Sequence, residues 1–194
     1  MDLTSVILAG GESLRMGREK AFIDFNGEPL VKRTVGILKP LFEEILIVSK
    51  EREPLLFLGV PVYVDLFPNG GPMGGIYTGL FHSKGPVFAV ACDMPFLDPG
   101  LIRYMAGQLQ GFDAVVPSCR DGVHPLHALY SKTALPEMRR LLGTGDVKMT
   151  RLLEKINTRT VGEDEIRKLN PDLSSLVNIN TPEDLKRALE MASK

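Results

Sequence analysis

The chain has little of what marks several specialised protein classes. It contains two cysteines, Cys92 and Cys119, in 194 residues, which is too few for a disulfide framework and shows no metal-binding spacing. No apolar run approaches the roughly 18 residues that a membrane helix needs, and no signal-peptide pattern precedes MDLTSVILAGG. We therefore expect a cytoplasmic protein from a reducing compartment, with no membrane partner.

The chain also has no excess of charge of either sign. Lysine and arginine together number 23 and aspartate and glutamate 24, for a net charge of -1. Such a balance argues against a general binder of nucleic acids or anionic membranes. Any phosphate binding must therefore depend on locally placed groups, and we expect no nucleic-acid partner.

Apolar runs and helical patterns alternate along the chain. Strands are predicted at TSVILA, EILIVS, VPVYVD, PVFAVACD, DAVVPS, PLHALYS and LVNIN, and helices at PLVKRTVGILKPLF, IYTGLFHSK, PGLIRYMAGQL, TALPEMRRLLG, DVKMTRLLEKI and TPEDLKRALEMA. EDEIRKLNPDLSS is the most loop-like segment. The alternation indicates an α/β fold, a mostly parallel central sheet with helices on both faces, in one domain over residues 1–194. In such sheets ligands bind at the carboxyl ends of the strands.

The segment VILAGGESLRMGREK joins a buried strand to a glycine-rich loop that contains Arg15, Arg18 and Lys20. Backbone N–H groups freed by glycines, with cations nearby, suit a phosphate chain. The spacing matches neither the Walker A loop nor the G-x-G-x-x-G dinucleotide fingerprint. The alternative is a solvated basic loop whose glycines serve only turn geometry.

The same segment carries a resemblance to a known family. LAGGESLRMGREK is similar to the LAGG-x-S-x-R-M-G-x-x-K signature of the MobA-type molybdopterin nucleotidyltransferases, in their guanylyltransferase branch. The resemblance continues through FNGEPL, VDLFPNGGPMGGIYTGL, CDMPFL, HPLHALY and VNINTPEDL. It implies a Rossmann-like nucleotidyltransferase fold, Mg²⁺ as cofactor, and transfer of GMP from GTP to the terminal phosphate of a molybdopterin-type cofactor, with release of pyrophosphate. Transient contact with molybdoenzymes or cofactor-synthesis proteins is a further implication.

Two aspartates follow predicted strands. Asp93 comes after PVFAVAC, so that its carboxylate emerges where Mg²⁺ would need an oxygen ligand, and it matches the metal-binding aspartate of the family's C-D-x-P motif. Asp65 ends VPVYVD and matches a family contact to the nucleotide, although a turn-starting aspartate is an alternative. The resemblance implies catalytic roles for Arg15, Lys20 and Asp93. The nucleotide-binding set that it implies is Leu8, Ala9, Gly10, Gly11, Lys20, Asp65 and Asp93.

The candidates for the acceptor site lie in the second half of the chain. His124 matches the family's His-Pro pair, with a plain turn as the alternative. Asn178 and Asn180 alternate on a predicted strand and would share a face, with strand-end and cap chemistry as the alternative. Lys148 belongs to a basic cluster that is thinner than is usual in the family. HPLHALY is predicted to be extended, so a metal ion shared by His124 and His127 is not expected.

One position departs from the family pattern. Val48 stands where an asparagine usually contacts the nucleotide, so that contact is missing or rebuilt by Ser49 or Lys50. Gly10, where the cytidylyl branch has alanine, favours GTP. The rival hypotheses are cytidylyl transfer to the same pterin, another small-phosphate nucleotidyl transfer, and a non-catalytic carrier of the cofactor. Release of pyrophosphate separates the carrier from the enzymes.

Overall fold

The computed structural model describes residues 3–10 and 20–193, so Gly11 and Arg15 lie outside the described residues. The strands are β1 (Thr4–Leu8), β2 (Asp24–Phe25), β3 (Glu28–Pro29), β4 (Glu44–Ser49), β5 (Val62–Val64), β6 (Val87–Ala91), β7 (Ala114–Cys119), β8 (Gly122–Val123), β9 (His127–Tyr130) and β10 (Thr158–Gly162). The α-helices are α1 (Leu30–Leu38), α2 (Gly71–His82), α3 (Pro99–Gly107), α4 (Leu135–Thr144), α5 (Met149–Lys155), α6 (Glu163–Arg167) and α7 (Pro182–Ala192).

The central sheet has the strand order β10-β7-β9-β6-β1-β4-β5, with β8 paired to β7. β1 runs parallel to both β4 and β6, in a register that sets Leu8 beside Val48 and Ala91. β9 runs antiparallel to its neighbours β6 and β7. The sheet is therefore mostly parallel, as predicted, and the carboxyl ends of β1, β4 and β6 meet at one edge.

Helices cover both faces of the sheet, as predicted. Side chains alternate across a strand, and β1 shows this directly. Val6 belongs to an apolar cluster that includes residues of α2, α4 and α5. Its neighbour Ile7 belongs to a cluster that includes residues of α1 and α3. The core thus lies in two layers with the sheet between them.

Helix α2 lies unusually close to β1 because glycines face the strand. A Cβ atom at Gly75 would be 2.8 Å from Leu8 Cδ2, and one at Gly79 would overlap the Val6 side chain. The helix begins at Gly71, five residues before the predicted start at Ile76. Glycine lowers helix propensity, but here it permits the close helix–strand contact, so tertiary packing outweighs local preference. The contact fixes the start of α2 beside the end of β1.

The last third of the chain differs most from the sequence-based prediction. The predicted strand LVNIN is instead a 3-10 turn at Ser174–Leu176 followed by a segment without regular structure. The segment predicted as loop contains α6, and β10 before it was not predicted. Helix α7 was predicted, and it begins with a capping box in which Thr181 and Asp184 each bond the other's backbone N–H. Across residues 3–10 and 20–193, no helix has the length and apolar character needed to cross a membrane.

Candidate active site

A cavity opens at the edge where β1, β4 and β6 end. Its wall includes residues 8–10 at the end of β1, residues 48–50 at the end of β4, and Asp93 after β6. Backbone bonds continue the sheet into this wall, with Ala9 N donating to the Val48 carbonyl at 2.9 Å and Cys92 N to that of Leu8 at 3.2 Å. Residues at the start of α2 line it as well. Helix N-termini and loop N–H groups both favour anions, so this cavity suits a phosphate-bearing ligand.

Lys20, Asp93 and Asn180 form a polar cluster at this cavity. Lys20 Nζ lies 2.6 Å from Asp93 Oδ2 and donates to Asn180 Oδ1 at 2.5 Å. Lys20 and Asp93 both line the cavity. The backbone also joins these segments, because Ile179 N donates to the Asp93 carbonyl at 2.9 Å. Residues that are distant in sequence thus meet where β6 ends.

The Asp93 carboxylate fits a metal ligand. The residue is 6% exposed, and while Oδ2 accepts from Lys20, Oδ1 is buried and has no hydrogen-bond partner among the described residues. An unpaired buried carboxylate oxygen is costly. A divalent cation with a preference for oxygen, such as Mg²⁺, would satisfy it.

Asp65 combines a turn with a position on the cavity wall. Its Oδ1 accepts from Phe67 N at 2.9 Å and from Thr78 Oγ1 at 3.0 Å, so the turn-forming role is present. Burial is the main cause that raises the pKa of this carboxyl, and the bonds from Phe67 and Thr78 oppose it. Asp65 also lines the cavity, and its contact with a nucleotide remains a prediction.

The wall after β1 and β4 has space at Gly10. A Cβ atom there would lie 3.6 Å from both Lys50 N and Ser49 Cα, which is ordinary contact, so alanine would fit without strain. Val48 is 2% exposed and belongs to the apolar cluster on the α2 face. Its neighbours Ser49 and Lys50 also line the cavity. At the end of β4, the side chains that could hydrogen-bond a ligand are therefore those of Ser49 and Lys50, and not that of Val48.

A second cavity brings together most of the predicted acceptor residues. His124, Asn178 and Asn180 all line it, and Asn178 Oδ1 is buried without a hydrogen-bond partner among the described residues. Asn180 connects it to the first cavity through its bond to Lys20. Lys148 is the N-cap residue of α5 and is not among the described residues that line either cavity.

The His124 segment is a turn and not the predicted extended strand. His124 N donates to the Pro117 carbonyl at 2.9 Å, and His127 N donates to the His124 carbonyl at 3.1 Å. β9 begins only at His127. His127 is fully buried against Phe88, and burial lowers its pKa to about 3. The proline after His124 explains the difference, because proline favours turns and cannot donate to a sheet.

Two features of these cavities were not predicted. The bond between Lys20 and Asn180 spans 160 residues, and only the Asn-x-Asn spacing ahead of the capping box marks that end of the chain. The second feature is the grouping of Cys119 and Asp121 with His124. Counting cysteines could not indicate this group, because only one of its three residues is a cysteine.

Known proteins resemble this chain over nearly its whole length. A family model described as "MobA-like NTP transferase domain" matches residues 5–161. A "Probable molybdenum cofactor guanylyltransferase" from Pelotomaculum thermopropionicum is 39% identical, with 99% of this chain and 94% of that protein covered. A "Molybdenum cofactor guanylyltransferase" from Desulfosudis oleivorans is 37% identical, with 96% and 94% covered.

A solved structure is similar as well. Molybdopterin-guanine dinucleotide biosynthesis protein A from Archaeoglobus fulgidus superposes with a TM-score of 0.88 at 31% identity, and 98% of this chain and 99% of that chain are covered. The likeness confirms the predicted nucleotidyltransferase fold. It extends through the carboxyl-terminal segment that supplies Asn178 and Asn180.

Proposed function

The chain belongs to the MobA-like NTP transferase family, and from that premise we propose that it transfers GMP from GTP to the terminal phosphate of a molybdenum–molybdopterin cofactor. The products are the guanine dinucleotide form of the cofactor and pyrophosphate. The observation that carries the proposal is the cluster of Lys20, Asp93 and Asn180 between the two cavities. It places a cation and a carboxylate where a nucleotide and an acceptor would meet.

The first cavity is the nucleotide site in this proposal. Backbone groups from Leu8 to Gly11 and the start of α2 would hold base and phosphates, with Asp65 as a further contact. The aligned carboxyl ends of β1, β4 and β6 support this placement, since ligands of parallel sheets bind there. Arg15, whose role follows from the signature, would act on the phosphates.

Asp93 is the residue that would hold Mg²⁺, through Oδ1, which has no hydrogen-bond partner in the part of the chain that the structure describes. When bound, Mg²⁺ supplies Lewis-acid chemistry, neutralising phosphate oxygens and polarising the phosphoryl group. Lys20 then acts on the same phosphates as a compact, mobile positive charge. Lys20 lines the first cavity, and its ammonium contacts both Asp93 and Asn180.

The reaction needs no protein nucleophile. An oxygen of the acceptor phosphate attacks the α-phosphorus of GTP in line, a new P–O bond forms, and the bond to pyrophosphate breaks. The protein contributes orientation and fixed charge, which together account for most of the rate in such transfers. Asn180 contributes by holding Lys20 between the two cavities.

The second cavity is the acceptor site in this proposal. His124, Asn178 and Asn180 line it, and Asn178 Oδ1, to which no described residue donates, could accept a bond from a polar heterocycle such as a pterin. The role of Lys148 in acceptor binding stays a prediction, because Lys148 is not among the described residues that line either cavity. We further propose one domain over residues 1–194, a cytoplasmic setting in keeping with Cys92 and Cys119 not being joined in a disulfide, and transient contacts with molybdoenzymes or cofactor-synthesis proteins.

Pyrophosphate release tests the proposal. The purified protein is incubated with Mg²⁺, a molybdopterin acceptor and GTP, CTP or ATP in parallel, and pyrophosphate and the dinucleotide product are measured. We expect release with GTP that requires the acceptor and is lost in Asp93→Asn. Release with CTP alone would assign cytidylyl transfer instead. Nucleotide binding without release in the complete mixture would contradict the proposal and favour a cofactor carrier.

A further inference from the structure

Three chemically different ligand groups meet at the turn that joins β7 to β8. The thiol of Cys119, a carboxylate oxygen of Asp121 and a ring nitrogen of His124 all lie within 4.8 Å of one another. His124 Nε2 and Asp121 Oδ1 are 3.2 Å apart. Sulfur, oxygen and nitrogen donors in this proximity form a ligand set for a transition-metal ion.

The backbone around these residues is held in place. Cys119 pairs with Gly122, and Ser118 with Val123, in the antiparallel β7–β8 pairing. The turn is fixed from outside as well, because Arg120 N donates to Glu163 Oε2 at 3.0 Å. Because this backbone is already ordered, binding of an ion would cost less conformational entropy.

The spacing of the donor atoms suits Zn²⁺ after small side-chain rotations. Tetrahedral Zn²⁺ with metal–ligand bonds of about 2.0–2.3 Å holds its ligand atoms roughly 3.3–3.8 Å apart. The His124–Asp121 separation is already near this range. Asp121 is 72% exposed at its side chain and can turn toward Cys119 without moving the core. Mg²⁺ prefers oxygen ligands alone, so the thiol and imidazole favour a softer ion.

The surroundings point to a ligand independently of the three side chains. All three line the second cavity, and so does Asn178, whose buried Oδ1 has no hydrogen-bond partner among the described residues. A carbonyl oxygen of this kind can accept a bond from a water molecule on an ion's fourth position. Three protein ligands and one open position are typical of zinc sites that bind a further molecule.

We propose that Cys119, Asp121 and His124 bind one divalent transition-metal ion, with Zn²⁺ as the best match, at a site separate from Asp93. On binding, the Cys119 thiol gives its proton to solvent, and the thiolate, the carboxylate and the neutral imidazole each donate an electron pair to the ion. No group is oxidised or reduced. The inference goes beyond the proposed transfer reaction and does not depend on it. The ion would share His124 and the second cavity with the proposed acceptor, so the test below follows the metal itself and not the activity.

Cobalt is the probe that tests this site, because a thiolate bound to Co²⁺ gives a charge-transfer absorption that oxygen ligands do not. Chelator-treated protein is titrated with Co²⁺, and then with Zn²⁺ to displace it. We expect a thiolate–cobalt band that saturates at one equivalent and disappears on addition of Zn²⁺. Binding of Co²⁺ at Asp93 would not produce this band.

Matched variants locate the ion. Cys119→Ser should abolish the band, whereas Cys92→Ala, which removes the other thiol, should leave it intact. His124→Gln and Asp121→Asn should each weaken Zn²⁺ affinity by about 10–100-fold or more. Loss of a residue that only hydrogen-bonds a metal ligand already costs about 10–100-fold. His82→Gln is the histidine control. Circular dichroism confirms that each variant is folded.

Two results would overturn the proposal. One is the absence of a thiolate band in the wild-type protein at saturating Co²⁺. The other is a band that persists in folded Cys119→Ser or is unaffected in both His124→Gln and Asp121→Asn. Guanylyl transfer assayed with Mg²⁺ alone gives a separate result, so failure of this site and failure of the proposed function are distinguishable.

Discussion

The two cavities are built in different ways. The first cavity, proposed for the nucleotide, lies at the aligned ends of parallel strands, and its wall follows directly from the register of β1 with β4 and β6. The second, proposed for the acceptor, is formed by an antiparallel hairpin and an irregular carboxyl-terminal segment. The first is fixed by the sheet, whereas the second depends on a few long-range hydrogen bonds. Changes near the sheet edge should therefore affect chemistry, and changes in the second cavity should affect acceptor binding.

The largest effect should follow from Asp93→Asn. The substitution keeps the size of the side chain and removes the charge that would hold Mg²⁺, so we expect kcat to fall by at least about 10³-fold, at the upper end of single-group electrostatic effects. Thermal unfolding should change little. Steady-state kinetics and calorimetry measure the two quantities.

Asp98→Ala is the matched control for Asp93. Asp98 accepts from Leu101 N at 2.8 Å and caps α3, so its loss should cost about 1 kcal/mol of stability and leave kcat unchanged. Full activity of Asp93→Asn would remove the basis for the metal assignment.

Lys20→Ala should have the next largest effect. Its ammonium donates to Asp93 Oδ2, beside the proposed metal position. Loss of a positive charge that acts on the transition state should lower kcat on the order of 10²-fold. Lys39→Ala, on an exposed residue after α1, is the control and should be silent. A loss of less than about threefold in Lys20→Ala would assign Lys20 a structural role.

Gly79→Ala tests how closely α2 lies against β1. The added methyl would overlap Val6, and overpacking of this kind typically costs about 1–3 kcal/mol. Gly36→Ala, in α1 with no atom within 4 Å of the added Cβ, should instead stabilise by about 0.5–1 kcal/mol through helix propensity. Denaturant unfolding measures both, and equal responses would contradict the close helix–strand contact.

The smallest effect should come from Asn180→Ala. It removes one hydrogen bond to a charged group, worth about 1.5 kcal/mol, or roughly tenfold in an equilibrium constant. Asn180 lines the second cavity and holds Lys20, so we expect that change in the KM for the acceptor and in kcat, while the Kd for GTP stays within about twofold. An effect confined to GTP binding would reverse the assignment of the two cavities.

The same contrast explains what could be predicted from the sequence. Strands β1, β4 and β6 are continuous apolar runs, and the position of Asp93 at the end of β6 follows from that pattern alone. The helix caps at Asp98 and Thr181 also depend only on residues within one turn. Sequence signals that act within a few residues were therefore sufficient for the fold class and for one wall of the site.

The remainder depends on contacts that no local pattern contains. Residues 176–180 alternate like a strand, but the bond from Ile179 N to Asp93 holds them at the site without a strand partner. The early start of α2 depends on Gly75 and Gly79 against β1. The roles of Gly11 and Arg15 stay predictions from the signature. The direction of β9 likewise follows from packing and not from its composition.

Nucleotide-dependent stability tests the central claim, that the sheet edge is a site for Mg²⁺ and GTP. Thermal unfolding is followed with Mg²⁺ and GTP, CTP, ATP or NAD, in the wild-type protein and in Asp93→Asn. A ligand at 100 times its Kd adds about 2.7 kcal/mol, which raises Tm by several degrees in a chain of this size. We predict that, in the presence of Mg²⁺, GTP gives this shift and the other three nucleotides do not. Asp93→Asn should reduce the shift with GTP. Equal shifts with every nucleotide, or none with GTP, would contradict the account.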